Sequence, residues 1–482
     1  MGRLDEVLAQ DEKRAAVNKV RNRDLRAVGF IVPIVGEALL YSIATITNDR
    51  SLTRAVPGAI LEPMSPRFTD VGEKLSGPSG IQELMEDLGQ ALSGDPTMRM
   101  LGGGNPAAVP EVQAIWRERM QEMAINGELD RALGNYDPPG GNPQFRERFA
   151  DFLNRNCGWD VSAKNIAVLP GGQTAFFYLF TLLAGRRQGM TTRILLPIVP
   201  EYIGYANQGL DPDSFVAMKP LIEDLGDNTF KYRIDFDQLR ITPDIAAICL
   251  SCPTNPSGNV VNEEDLNRLR KLAAEHAIPL LLDQAYGRPF PGAIYVDWSP
   301  VWDPGMIVSL SLSKLGLPGT RTSVIVADEK YTQALASMNA VVALANGNLG
   351  QHLVSPLLEG DALVKLSREV IRPFYEKKCI AASDCLHRAL RGRADYALHA
   401  TEGAFFLWLW VKDLPITAAE LYVRLKRRKV LVVPGHYFFF GLKEDWAHRH
   451  ECIRITYSQD DRIVREGLEI IADEIAQVMA HG

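Results

Sequence analysis

The sequence has few cysteines: six in 482 residues, at positions 157, 249, 252, 379, 385 and 452, without regular spacing. That excludes a disulfide scaffold and fits a reducing compartment, so a cytoplasmic location is expected. An excess of positive charge is missing too. Lys and Arg number 52 against 59 Asp and Glu, a net charge of −7, which gives no electrostatic footprint for nucleic acid. Repeats and low-complexity segments are absent. Hydrophobic residues make up 46% and charged residues 23%, which excludes disorder or a collagen-like chain as a whole-chain description. At about 150 residues per domain the length allows about three domains, or two with decorations.

Long apolar runs are nearly missing as well. Only residues 27–46, AVGFIVPIVGEALLYSIATI, approach the length of a membrane span. Pro33 and Glu37 inside that run argue against a simple span, and too many acids precede it for a secretory signal. Membrane contact through 27–46 is therefore not expected. Residues 57–68 are Pro-rich and read as a linker. Met64 is a candidate natural start, and residues 1–63 read as an N-terminal extension.

What is present is an alternation. Short apolar runs NIAVLP (165–170), RILLP (193–197), DIAAICLS (244–251), PLLLD (279–283), MIVSLSLS (306–313) and TSVIVAD (322–328) read as strands. Between them lie helix-like stretches, including 173–185 and 262–276, the latter with Asn262 as its N-cap. Near-continuous apolar strands joined by helices predict an α/β domain with a mostly parallel sheet covered on both faces. After about residue 355 the texture changes to a smaller α+β unit, with EGAFFLWLWV (402–411), a helix over 417–430, CIRITYS (452–458) and a last amphipathic helix over 462–480. The expected organisation is an extension over 1–63, an N-terminal segment of the small domain over 64–110, a large domain over 111–355 and a C-terminal small domain over 356–482.

Parallel sheets bind ligands at the carboxyl ends of their strands, and here those ends carry chemistry. Asp283 ends an apolar strand, where a carboxylate is costly unless paired. Lys314 follows another strand; in a low-dielectric site its pKa falls and it becomes a nucleophile able to form a Schiff base. PGGQTA (170–175) is a glycine turn opening a helix, an anion site whose commonest guest is phosphate. Arg321, seven residues after the lysine, can clamp the same phosphate. A lysine, an acid and a phosphate cradle at neighbouring strand ends suit pyridoxal 5'-phosphate, with the acid keeping the pyridine nitrogen protonated.

In order along residues 70–480, the blocks LGGGNP (101–106), NYDPPGG (135–141), GGQTAFF (171–177), PEYIGY (200–205), PTNPSGNV (253–260), DQAYGRPFPG (283–292), SLSKLGLPGTR (311–321) and CIRITY (452–457) resemble the fold type I aminotransferases. The finer blocks MEDL (85–88), GGGNPA, FFYLF, FLWLW, KDLPIT and VPGH (433–436) are similar to those of members that exchange valine with pyruvate. The resemblance implies a large domain with a seven-stranded-type sheet and a smaller α+β domain. It implies a ping-pong reaction, with Lys314 holding the cofactor and, once freed, moving a proton between the substrate Cα and the cofactor C4′. Asp283 would pair with the ring nitrogen, Asn255 and Tyr286 with the phenolate oxygen, and Tyr202 would stack on the ring. Gly172, Gln173, Ser311 and Arg321 would bind phosphate. Tyr136 would reach the phosphate of a partner subunit, implying a homodimer. Arg454 would take the substrate α-carboxylate, with Gly104 and Asn255 beside it. One departure stands out: Ser323 occupies a position, two after the phosphate arginine, where the family usually has glycine.

Relatives specific for dicarboxylates use a second arginine for the distal carboxylate. The corresponding loop here, ALANGNLGQ (343–351), contains no arginine or lysine, so a neutral, apolar side chain is expected, with Phe405, Phe406 and Trp408 near its pocket. The resemblance leaves open a different neutral amino acid, or a racemase or lyase using the same lysine. Residues 1–63 show no helix-turn-helix, which argues against a transcription regulator. Cys249 and Cys252 lack a second pair, and His448 and His450 lack a third ligand, so no metal site is expected; the histidines read as a solvated loop.

Overall fold

The computed structural model describes residues 68–94 and 97–481. The run at 27–46, Met64 and the linker up to residue 67 lie outside the described residues. Eight strands form the larger sheet: β1 (Ile166–Leu169), β2 (Gly185–Arg187), β3 (Met190–Leu196), β4 (Phe215–Ala217), β5 (Ile245–Ser251), β6 (Leu280–Asp283), β7 (Met306–Ser311) and β8 (Ser323–Val326). Their order is β1-β8-β7-β6-β5-β3, and both β4 and β2 line the outer edge of β3. β3 to β7 are parallel neighbours wherever they pair, whereas β8 is antiparallel to β7 and β1. The sheet has one strand more than the seven expected, because Gly185–Arg187 folds back on β3 as a short antiparallel hairpin.

The strands are apolar on both faces because both faces are covered. β1, β7 and β8 are buried throughout. Helix Gly172–Leu183 buries Ala175, Phe176, Tyr178, Leu179 and Phe180 and leaves Leu182 exposed near its end. Helix Glu263–Glu275 is amphipathic; Asn262 caps it by accepting from the Asp265 amide at 2.7 Å, and Leu266, Leu269 and Ala273 face inward.

A second sheet of six strands has the order 433–434, 452–456, 406–411, 396–399, 229–233, 221–226. Helices Arg372–Leu390, Ala418–Arg427 and Asp461–His481 belong to the same part of the chain. Thr417 and Glu420 form the capping box of the middle one. The strand Arg99–Met100 pairs with Val430–Leu431. Notably, the hairpin Leu221–Gly226/Thr229–Arg233 falls inside the stretch read as large domain, yet joins the second sheet through Leu398 and His399. Its mixed polarity hid this, since only one of its strands is buried.

The reading of His448 as part of a solvated loop is corrected. His448 is buried, stacked on the Trp446 ring at 4.4 Å, edge-on to Trp410, and hydrogen-bonded through Nε2 to the Tyr232 hydroxyl. The aromatics that bury it are distant in sequence, apart from Trp446. Among the described residues no helix is long and apolar enough to cross a membrane.

Candidate active site

The carboxyl ends of β1, β3, β5, β6 and β7 supply the site. Lys314 lies in a short turn (Leu312–Leu315) after β7, where the Ser311 hydroxyl caps it by accepting from the Ser313 amide at 3.2 Å. Trp116 pins the same turn from outside by donating its indole N–H to the Leu315 carbonyl at 2.7 Å. The Lys314 ammonium donates to the Gly104 carbonyl at 2.6 Å and stands 5.1 Å from the Tyr286 ring centre. Burial, with Arg454 and Arg321 nearby, lowers its pKa to about 8, against the opposing pull of Asp283. A substantial fraction of the amine is therefore neutral and nucleophilic at mildly alkaline pH.

Asp283 ends β6, with Ser309 and Ser251 as its register partners on either side. Its carboxylate accepts from the Tyr205 hydroxyl at 2.5 Å and from the Ala285 amide at 3.0 Å. Burial raises its pKa to about 6, while those two bonds and Lys314 pull it down. A buried carboxylate with a raised pKa is poised to hold a proton jointly with a basic ring nitrogen. Tyr205, absent from the sequence-based set, is the group that orients it.

Around the first helix turn, Gly171 has a φ of 85°, and a Cβ there would strike the Arg321 guanidinium at 2.3 Å. Only glycine lets that cation lie against the opening of helix Gly172–Leu183, whose first amides lack helical partners. Gly172 faces open space. These features together make an anion cradle. Gln173 enters it by its backbone, since its side chain donates to the Gly204 carbonyl at 2.8 Å. Ser323 fits without strain: it begins β8 in regular pairing with Leu169 and Ser311, is fully buried, and its hydroxyl donates to the Leu169 carbonyl at 3.4 Å. The glycine usual in the family is not required by this backbone.

Arg454, 1% exposed, projects from the second sheet. It donates to Asn255 Oδ1 and to the Gly102 carbonyl, each at 2.6 Å. Phe406 and Phe438 cover its planar group at 4.3 and 5.3 Å. Burial brings its pKa down to about 10, so it stays charged at neutral pH. Its Nε–H has no protein partner. A desolvated guanidinium with donors to spare is a receptor for a carboxylate. Asn255 thus offers its remaining amide N–H groups to whatever lies beside it.

The other sequence candidates are placed as follows. Tyr286 is buried edge-on against Phe405 and Phe406. Tyr202 sits edge-on to Tyr205 at 5.1 Å. Phe405 is stacked on Tyr375 at 3.8 Å, Phe406 lies against the Arg454 guanidinium, and Trp408, the register partner of Arg454 across the sheet, donates its indole N–H to the Tyr232 hydroxyl. Tyr136 is 82% exposed and stands apart from this buried set. The loop 343–351 does not present charge: Asn346 donates to the Pro139 and Val168 carbonyls and Asn348 to the Asn135 carbonyl, fastening the segment that carries Tyr136.

Known proteins resemble this chain in sequence and in fold. Residues 210–471 match the family Aminotransferase class I and II. The chain is 45% identical to valine–pyruvate aminotransferase of Escherichia coli K12 over 414 residues, covering 86% of this chain and 99% of that protein. The crystal structure of a putative amino-acid aminotransferase from Psychrobacter arcticum 273-4 superposes with a TM-score of 0.84 at 40% identity, covering 87% of this chain and all of that one. That of valine–pyruvate aminotransferase from Salmonella typhimurium LT2 gives 0.76 at 43% identity, covering 83% of this chain and all of that one. With this family match over more than half of its length and 45% identity to a member, the chain belongs to the class I and II aminotransferases.

Proposed function

We propose that this chain uses pyridoxal 5'-phosphate to transfer the amino group between L-valine and pyruvate, giving 2-oxoisovalerate and L-alanine. The observation that carries the proposal is the segment 102–104, which holds both reactive cations: the Gly102 carbonyl on Arg454 and the Gly104 carbonyl on Lys314. Two residues of backbone thus fix the spacing between a carboxylate receptor and a proton-transferring amine. An α-amino acid anchored at the first presents its Cα to the second.

The residues fit the cofactor. The cradle of Gly171, Gly172 and Arg321 suits its phosphate, and Asp283 with Tyr205 suits its ring nitrogen. Asn255 and Tyr286 would hydrogen-bond its phenolate oxygen, and Tyr202 would cover a ring face. When bound, the cofactor supplies an electron sink for the substrate Cα. Lys314 would take and return the proton at the substrate Cα. Arg454 orients the carboxylate, and its aromatic covers exclude water from that bond.

The name of the relatives supports valine and pyruvate as substrates, as does the lack of a cation in 343–351. The test is a panel of amino donors and oxo-acid acceptors. Valine and alanine are expected to exceed aspartate and glutamate by about 100-fold or more in kcat/KM, since an unpaired buried carboxylate costs several kcal/mol. Faster transfer from aspartate or glutamate would overturn the assignment. With valine alone the cofactor is expected to convert to its amine form in one turnover, which a racemase or lyase would not leave behind.

We also infer a homodimer. Ile125, Leu133, Tyr136, Val341, Val342 and Leu344 are large apolar side chains left exposed on connected segments. If Tyr136 serves the partner's cradle, mixing inactive Lys314→Ala and Tyr136→Phe subunits should restore activity, because one of the two sites is then intact. Absence of complementation in verified mixed dimers would remove Tyr136 from that role. Six free thiols fit a cytoplasmic enzyme.

A further inference from the structure

We propose that Glu201 is a positioning residue that locks Tyr202 and the Asn255 strand end together and places a second carboxylate on the cofactor face beside Asp283. The inference rests on the cofactor reading above.

Glu201 is fully buried. One carboxylate oxygen accepts from the Tyr202 amide at 2.7 Å and from the Ser251 hydroxyl; the other accepts from the Ser251 amide at 2.7 Å. Its own amide donates to the Phe438 carbonyl at 2.8 Å. One side chain and its backbone therefore join three pieces: the loop carrying Tyr202, the end of β5 leading to Asn255, and the aromatic that covers Arg454.

The placement also has an electrostatic side. Ser251 is the register partner of Asp283, so their side chains leave the sheet on the same face. A carboxylate bonded to the Ser251 hydroxyl is consequently on that face too. Three N–H or O–H donors aimed at two oxygens favour the anion. The titratable groups around it are Asp283, Tyr205, Cys249 and Cys252. Burial raises its pKa to about 7, opposed by the Ser251 and Tyr202 bonds and reinforced by Asp283. Glu201 and Asp283 repel each other when both are ionised, and a protonated ring nitrogen held by Asp283 would relieve that repulsion. Glu201 thereby strengthens the hold of the site on a protonated pyridine ring without touching the reacting atoms.

Glutamine at this position keeps the shape but turns an NH₂ group toward the Ser251 amide, one donor facing another. The decisive comparison is Glu201→Gln and Ser251→Ala against wild type, in the cofactor-loaded enzyme and in titrations of the cofactor-free protein. Glu201→Gln is expected to bind pyridoxal phosphate about 10-fold more weakly, and to shift the pKa of the visible cofactor band down by about one unit, since one lost charge there is worth about that much. Its kcat is expected to fall more than KM rises. Ser251→Ala keeps the carboxylate and loses one of the donors that favour its anion, so kcat is expected to drop while the band pKa moves clearly less than in Glu201→Gln. An unchanged band pKa and cofactor affinity in Glu201→Gln would overturn the proposal, as would an equal band shift in Ser251→Ala. Should Glu201→Gln fail to fold, an unaltered kcat in Ser251→Ala overturns it. If wild type itself fails to bind the cofactor, the underlying reading fails instead, which separates the two outcomes.

Discussion

Replacing Lys314 with alanine is expected to abolish turnover, by at least about 10⁴-fold, and to remove the visible absorbance of the lysine-bound cofactor. The magnitude is that of a general acid–base group lost together with a covalent anchor. The substitution is small in structural terms. Lys314 makes one hydrogen bond, to the Gly104 carbonyl, whereas Trp116 and Ser311 hold its turn independently. The variant should therefore fold, and near-ultraviolet circular dichroism would show that it has. The wild-type lysine also carries a pH signature. Its pKa is lowered from 10.5 to about 8, so the neutral amine appears as pH rises through about 8 rather than through 10.5. Covalent capture of pyridoxal phosphate by the cofactor-free enzyme should rise across that midpoint and fade below it. Turnover retained in the alanine variant would remove Lys314 from its role, and a capture midpoint near 10.5 would contradict its burial.

Arg454→Lys is expected to lower kcat/KM for valine about 10- to 150-fold, mostly through KM, with the cofactor spectrum intact. The range corresponds to about 1.5–3 kcal/mol for one charge-assisted bond. An ammonium keeps the charge but loses the fork. It cannot hold the Asn255 oxygen and the Gly102 carbonyl while still presenting paired donors to a carboxylate. It also loses the flat face that Phe406 and Phe438 cover. Arg454→Ala should be worse, because both carbonyl oxygens are then buried without a donor. Steady-state kinetics with valine and with pyruvate would check this. Both substrates share the anchor, so KM should rise for each. An unchanged KM for both would mean that the carboxylate is bound elsewhere.

Much of this site was legible in the sequence because its chemistry lies at strand ends. Asp283 closing PLLLD and Lys314 after SLSLS are polar residues that an apolar strand has no structural reason to carry, and the structure places both at the expected carboxyl ends. The glycine turn before helix Gly172–Leu183 was equally plain. What the sequence hid were partners supplied from a distance. Tyr205 reads as one more aromatic until its hydroxyl is found on Asp283. A buried tryptophan must find an acceptor for its N–H, but nothing in residues 110–126 says that Trp116 finds it at Leu315. Phe438 lies in a short aromatic run that could have faced anywhere. The hairpin at 221–233 went unread for the same reason: its partner strand, 396–399, is far along the chain. Periodicity reports which face is buried, not what buries it.

The loop at 343–351 has a bearing on how this enzyme could change over evolutionary time. Asn346 and Asn348 are already employed as fasteners of the 135–139 segment. An arginine acquired at either position would gain a cation but release the strap that carries Tyr136. Broadening toward acidic substrates by a single substitution at these two positions is thereby obstructed, and a lineage taking that route would first have to supply another brace. The proposed preference for uncharged side chains would in this sense be a by-product of scaffolding, inherited along with the shape of the subunit.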